Sequence, residues 1–484
     1  MRPHNAASGR AAPTIRHYPR EQIVARPLLK VRALLRQAER RVRRRLRRKT
    51  FDVVSLGQFR KSHSCPSIVC RAAETFETCG PQFIGDYDFS PAADHKISVR
   101  APPLEIVEFT GAGVMGGMNL IFVGRQAIHP DVADPNQDMF LAEVEGIANF
   151  VARGQKLHVP GPSRHPTSPR KLLRVKEAVS LVGECTGNYA HWLIETLPKL
   201  VAVDEYEKYS SLPLLVDGWI HPIFYQTLAL LNSRHRPIKR VNRWQMAMAD
   251  RLVYITPPAY IAAENREYFL TGEGPLPSPD AFSFGPKELA ALRVKAVAAA
   301  KKYLASGGTA LRELPTITRI DCDDNPTAAI HKARKTTKID ISQSTVKKIY
   351  LRRMAVSAGN PRQLLGSDRV ESILADFGFV AVDPAALTFA EQIMLLQNAE
   401  CVVAPIGAAL ANLIFAPPGC KVIALAPYYR NADYYYFSNM MGALGHELHF
   451  VLGPQIDAPD KHLLHRDYMV DLQALKLALE RLCR

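Results

Sequence analysis

His191 and Glu195 stand four residues apart in the stretch GNYAHWLIETLPKL, residues 187–200. On a helix that spacing puts both on one face, and an imidazole beside a carboxylate can take a proton from a hydroxyl. Asn188 is placed to cap such a helix, which sets His191 in a first turn where the dipole disfavours its protonated form. Asp217, closing the run LPLLVD, is a reserve base. A second chemistry is suggested by Arg352 and Arg353, which follow KKIYL, and by Gly407 inside CVVAPIGAALANLIFAPPGC, Cys401 to Cys420, which carries no charge. A glycine turn lets backbone approach a ligand, a helix opening at Ala408 and Ala409 would aim free amides at it, and a guanidinium beside them would help neutralise phosphate oxygens.

Those residues need strands and helices to position them. The uncharged stretch has the length of a membrane span, about 20 residues. Pro405, Gly407, Pro417, Pro418 and Gly419 break it up, and lipid cannot satisfy the backbone at such breaks. It reads instead as a buried strand over 401–404, a tight turn, a short helix over 408–415 and a strand from Lys421. Around it, KKIYL is a strand, Val370, Ile373, Leu374 and Phe377 form a helix stripe ended by Gly378, FVAV is a strand, and Thr388 with Glu391 forms a capping box. That succession is a series of βαβ crossovers, whose ligand belongs at the carboxyl ends of the strands. From Lys176 an earlier α/β unit reads similarly, with KEAVSLVGE and LPLLVDG as strands and helices near 189–200 and 223–231. Residues 51 to about 170 read as β-rich and irregular. Gly111, Gly113 and Gly116 there match a dinucleotide fingerprint by spacing, but a strand follows, so a glycine hairpin is expected.

The chain of 484 residues exceeds what one core usually supports. Its net charge of +16 is concentrated: residues 1–50 hold 16 Lys/Arg against Glu21 and Glu39, leaving a surplus of only 2 for the rest. No basic groove for nucleic acid is implied in the body. In the leader, Leu28, Val31, Leu35, Ala38, Val42 and Leu46 make an apolar stripe among arginines, which reads as a helix for an anionic membrane surface or as a solvated arm. A single aromatic, Tyr18, argues against base stacking, and an organelle transit peptide is a further alternative. Eight scattered cysteines make no disulfide framework and fit a reducing compartment. Cys65, Cys70, Cys79 and His63 lack common zinc spacing, and DCDD at 321–324 lies in a polar connector rather than at a strand end.

Taken in order, residues 187–200 and 349–427 resemble glycosyltransferase family 61, over about half the chain. The resemblance implies a GT-B-like α/β architecture, two Rossmann-like domains facing across a cleft, and a nucleotide-sugar held by the C-terminal one. It further implies transfer to a glycan acceptor, plain or lipid-linked, with inversion and without an obligatory metal. Asn188, His191, Trp192 and Glu195 match the family's acceptor-side pattern; Arg352, Arg353, Gln392, Gly407, Ala408, Leu410 and Asn412 match its donor-side motifs. Ile406, Ala424 and Gly366 depart from residues the family often has, so a catalytically weak scaffold in polysaccharide assembly is the alternative, with a nucleic-acid protein acting through its arm as another. The expected organisation is a leader over 1–50, an acceptor-side domain over 51–310, a connector over 311–345, a nucleotide-sugar domain over 346–453 and a C-terminal helix within 454–484, in a cytoplasmic, peripherally membrane-bound enzyme of cell-surface polysaccharide synthesis.

Overall fold

Two sheets organise the chain. In the first, β1 (Leu104–Met115), β2 (Leu173–Ser180), β3 (Leu214–Asp217), β4 (Ile238–Val241) and β5 (Met246–Ile255) lie in the order β4-β3-β2-β5-β1. The first four are parallel and β1 is antiparallel to β5. Leu214, Leu215 and Val216 are all fully buried, as a parallel strand covered on both faces requires. The sheet continues past β1 through Ile121–Val123, Gln126–His129, Arg48–Ser55, Lys156–Pro160 and Asn149–Val151. The irregular β-rich start is thus an extension of the α/β sheet. The glycine hairpin forms as its context predicts, with Ala112 opposite Val123 and Val114 opposite Ile121.

The second sheet holds β6 (Lys348–Leu351), β7 (Val380–Val382), β8 (Cys401–Pro405), β9 (Lys421–Tyr428) and β10 (Glu447–Pro454) in the order β7-β6-β8-β9-β10, all parallel. A strand from far upstream, Gln82–Ile84, adds itself beside β10. This computed structural model describes residues 48–85, 96–136, 148–151, 155–165, 168–261, 278–307, 346–353, 362–429, 432, 434–458, 461 and 465–483. The leader helix expected over 28–49, except its last two residues, lies outside that set, as do the 311–345 connector and its DCDD.

Helical segments Tyr189–His191, Trp192–Thr196 and Leu197–Asp204 run on as one helix, α1, followed by α2 (Pro222–Leu231), α3 (Pro286–Ala305), α4 (Ser367–Asp376), α5 (Phe389–Leu396), α6 (Tyr435–Leu444) and α7 (Leu472–Leu482). The capping box forms at α5, where Thr388 N donates to Glu391 Oε2 at 2.7 Å and Glu391 N to Thr388 Oγ1 at 3.3 Å. Helix α3 buries Leu289, Leu292, Ala296, Ala300 and Tyr303, a stripe at three- and four-residue steps, against α1, α2 and α5. Its Lys295 pairs with Asp204 of α1, which also pairs with the buried Arg236. Val179, Leu193 and Leu214 of the first half belong to the same buried cluster as Val402, Leu413 and Val422 of the second. Parts of both sheets therefore share one buried cluster.

Two expectations are corrected. Cys401, at the start of β8, is disulfide-bonded to Cys483 just past α7, and both are buried. A separation of 82 residues hides such a pair in the sequence, where the scattered cysteines had suggested no disulfides. The segment Ala408–Phe415 winds as a 3-10 helix rather than an α-helix. Eight residues is long for that winding, and burial of Leu410, Leu413, Ile414 and Phe415 against α3 and α5 holds it. Among the described residues no helix is long and apolar enough to cross a membrane.

Candidate functional site

Helix α1 opens as the sequence predicts, with Asn188 Oδ1 accepting from Ala190 N at 2.9 Å. It then departs from α geometry over Trp192–Thr196, a π-helical stretch in which Leu197 N donates to Trp192 O, five residues back. Pro198 supplies the reason: it has no N–H, and its ring would strike the carbonyl four residues earlier, so the preceding turn widens. The widened turn carries His191 and Glu195, whose Nδ1 and Oε2 lie 3.3 Å apart without the alignment of a hydrogen bond. Their side chains keep 18% and 16% of their surface exposed. Around Glu195 stand the half-buried Cys185 thiol, raised by desolvation and then by the charges of Glu184 and Glu195, and the Tyr436 phenol of α6, raised by desolvation and then by the Glu195 charge. One turn further along the same face, Lys199 is buried and its ammonium pKa is lowered to about 8 by desolvation, against the attraction of Glu195 and Asp217. Nothing in the spacing read from His191 and Glu195 alone had singled out Lys199.

Other acceptor-side expectations are relocated. Trp192 is fully buried, stacked on Phe224 at 5.3 Å, with Nε1 donating to Thr227 Oγ1 at 2.8 Å. It packs the core rather than facing an acceptor. Asp217 is also fully buried and accepts from Gly117 N at 3.1 Å, Gly183 N at 3.0 Å and Thr186 Oγ1. Burial raises its carboxyl to about 7 against those donors. It ties three chain segments together and presents no lone pair to solvent.

At the carboxyl end of the second sheet the two adjacent arginines part, as successive residues of an extended chain must. Arg352 turns to α4 and pairs with Glu371 at 2.8 Å. Arg353 turns to the β8 turn, where its Nη1 donates to Ile406 O at 3.3 Å. Arg362, which no motif had flagged, reaches the same carbonyl through Nη2 at 2.9 Å and lies over the Tyr468 ring. Two guanidinium groups thus converge on one oxygen, and burial together with the Arg362 charge lowers the Arg353 pKa. Gly407 leaves room for this approach, because a Cβ there would lie 3.0 Å from Arg353 Nη1 and press the guanidinium away. The first bond of the 3-10 helix is Leu410 N to Gly407 O at 3.0 Å, so the amides of Ala408 and Ala409 precede it at the half-exposed opening. The family departures fall nearby: Ile406 contributes its carbonyl while its side chain is buried, Ala424 is buried in β9, and Gly366 begins α4 with φ +74°.

Beside this turn opens a pocket of about 410 Å³, lined on one side by Gly187, Tyr189, His221 and Phe224, and on the other by Pro384, Leu387, Thr388, Gln392, Ala409 and Asn412. Gln392 and Asn412, expected on the donor side, are the pocket's buried polar floor. Tyr189 Oη lies 2.7 Å from Asn412 Oδ1 and 3.2 Å from Gln392 Oε1, and Gln392 Nε2 donates to Pro384 O at 2.8 Å. The network therefore joins α1 to the second sheet across the pocket. Among the described residues no three His, Cys, Asp or Glu side chains gather in a metal-ligating group.

No curated protein matches the chain. A family model described as Glycosyltransferase 61 matches residues 189–423, a span that begins at Tyr189 and takes in the π turn, Arg353 and Arg362, and the Gly407 turn. That match covers most of the residues that line the pocket and both of its flanks, and it identifies residues 189–423 as a glycosyltransferase family 61 region.

Proposed function

We propose that the protein transfers a sugar from a nucleoside-diphosphate donor to a hydroxyl of a glycan acceptor, with inversion at the anomeric carbon. In this reading the diphosphate lies against Arg353, Arg362 and the Ala408 and Ala409 amides, and the nucleoside occupies the apolar pocket beyond Ala409. His191, with Glu195 behind it, takes the acceptor proton. The acceptor oxygen attacks the anomeric carbon, the carbon–oxygen bond to the diphosphate breaks on the opposite face, and the charge growing on the leaving group meets fixed donors. The observation that carries the reading is the meeting of two guanidinium groups at the Ile406 carbonyl, beside a glycine and at a strand's carboxyl end. Two guanidinium groups converging on one point match the charge and fork geometry that bind a dianionic diphosphate. Cell-surface glycan synthesis, with the basic residues 28–49 resting on an anionic membrane face, belongs to the same proposal.

The test is a thermal-shift and calorimetric screen of nucleoside diphosphates on the wild type and three alanine variants. A charge-assisted bond contributes about 1.5–3 kcal/mol, so Arg353→Ala and Arg362→Ala should each weaken binding by roughly 10- to 150-fold. Arg352→Ala, whose wild-type side chain is engaged with Glu371, should stay near wild type. Equal behaviour of the three variants, or no nucleotide binding at all, would count against the site.

A further inference from the structure

Two of the chain's three tryptophans and an arginine gather just past the carboxyl ends of β3 and β4, the edge where open α/β sheets bind ligands. The Arg243 guanidinium carbon lies 5.5 Å from the Trp219 ring centroid and 5.2 Å from that of Trp244. Arg240 sits over the Tyr225 ring at 4.7 Å, adding a second cation on the same edge. All three members of the cluster, Trp219, Arg243 and Trp244, are half-buried rather than packed away. The tryptophans are backed by the Gly116–Gly117 turn, where a Cβ on Gly117 would meet Trp219 at 3.3 Å and Trp244 at 3.6 Å. Trp244 is held with φ +63°, a left-handed conformation unfavourable for a bulky residue, by Trp244 N to Gly116 O and Gly116 N to Gln245 O, each at 3.0 Å. The cluster also adjoins the pocket already described: a Cβ on Gly187, a pocket residue, would lie 3.6 Å from Trp219 Nε1, and His221 lines the same pocket.

We propose that Trp219, Arg243 and Trp244 form the acceptor platform of this cleft, and that the acceptor is an anionic glycan bearing a carboxylate or phosphate. The proposal deepens the glycosyltransferase reading and rests on it for the platform's role. Indole faces suit the apolar C–H face of a sugar ring, and a guanidinium held against two rings is oriented to offer its donors to a planar or tetrahedral anion. A neutral glycan would use the rings alone; an acidic one uses the rings and the positive edge that Arg240 and Arg243 give them.

The experiment measures binding of three oligosaccharide probes to the full chain by calorimetry: oligogalacturonate, its carboxyl-reduced neutral form, and a phosphorylated oligomannose. Wild type should bind one of the acidic probes at least about tenfold more tightly than the neutral one, the worth of one charge-assisted contact. Arg243→Gln should abolish that preference, Arg243→Lys should restore part of it, and both should keep wild-type nucleoside diphosphate affinity. Whichever acidic probe binds better identifies carboxylate or phosphate as the recognised group. Equal binding of acidic and neutral probes, binding of none, or an undiminished preference in Arg243→Gln overturns the proposal. Loss of nucleotide binding in the wild type with acidic preference intact would instead overturn the donor site and leave the platform standing.

Discussion

Asp217 is the residue at which a structural and a catalytic role make opposite forecasts. Its Oδ2 accepts from Gly183 N at 3.0 Å and from the Thr186 hydroxyl, and its Oδ1 from Gly117 N at 3.1 Å, with the side chain fully buried. Asp217→Asn keeps the shape but turns one acceptor into an NH2 facing a backbone donor, which costs about 1–3 kcal/mol. The pH dependence adds a signature. Because burial raises the folded-state pKa from 3.8 to about 7, between those values the folded chain binds more protons than the unfolded one, and stability falls as pH rises through that window. A shift of this size corresponds to at most about 4 kcal/mol. Urea unfolding from pH 4 to pH 8 should therefore show the variant less stable at acid pH and closing the gap, or passing the wild type, by pH 8. At pH 7 its transfer rate per folded molecule should stay within a few-fold of wild type. A loss of 100-fold or more with an unchanged unfolding curve would be the mark of a removed general base, and would refute the assignment of Asp217 as a buried tie.

Two other variants probe features the sequence did not disclose. Pro198→Ala restores an N–H able to bond the Ile194 carbonyl, so the turn should tighten toward α geometry and re-aim His191 and Glu195; melting temperature should hold or rise while transfer falls by about 100-fold, the expected effect of a misplacement near 1 Å. Cys483→Ser opens a loop of 82 residues and should lower stability by up to about 4 kcal/mol, with thiol titration of the unreduced, unfolded wild type finding Cys401 and Cys483 unreactive.

Much of the fold was legible because its signals are local. The strands of the second half follow from short apolar runs, α5 from its Thr388–Glu391 box, and the glycine hairpin from the strand that follows it. What escaped notice depends on distant partners or on a choice between faces. Gln82–Ile84 joins a sheet whose other members begin at Lys348, and Cys401 pairs with Cys483, both beyond any window of periodicity. The opposite facing of Arg352 and Arg353 could be expected from an extended chain, but which of them would face Gly407 was fixed by Glu371 on α4. Pro198 was the visible signal for the π turn; a proline inside an otherwise helical stripe requires an opened turn ahead of it, and Glu195 lies in that turn.

The two centres are joined by the residues that motif matching placed on the donor side. Gln392 and Asn412 present side-chain oxygens to the hydroxyl of Tyr189, the first residue of α1, and Asn412 Nδ2 donates to Gln392 Oε1 at 3.1 Å. Asn412 belongs to the 3-10 helix whose opening amides adjoin Arg353, and Tyr189 lies two residues ahead of His191. A shift of that helix would thus reach the start of α1 through a single hydroxyl, and the π turn begins three residues after Tyr189. Because Gln392 also donates to the carbonyls of Pro384 and Leu387, the pocket wall after β7 is fixed by the same side chain. Buried polar groups of this kind are expensive unless all are satisfied, which selects one register of the two halves over its neighbours. The buried cluster common to both halves is apolar and non-directional, whereas this network is directional and fixes Tyr189 against the 3-10 helix.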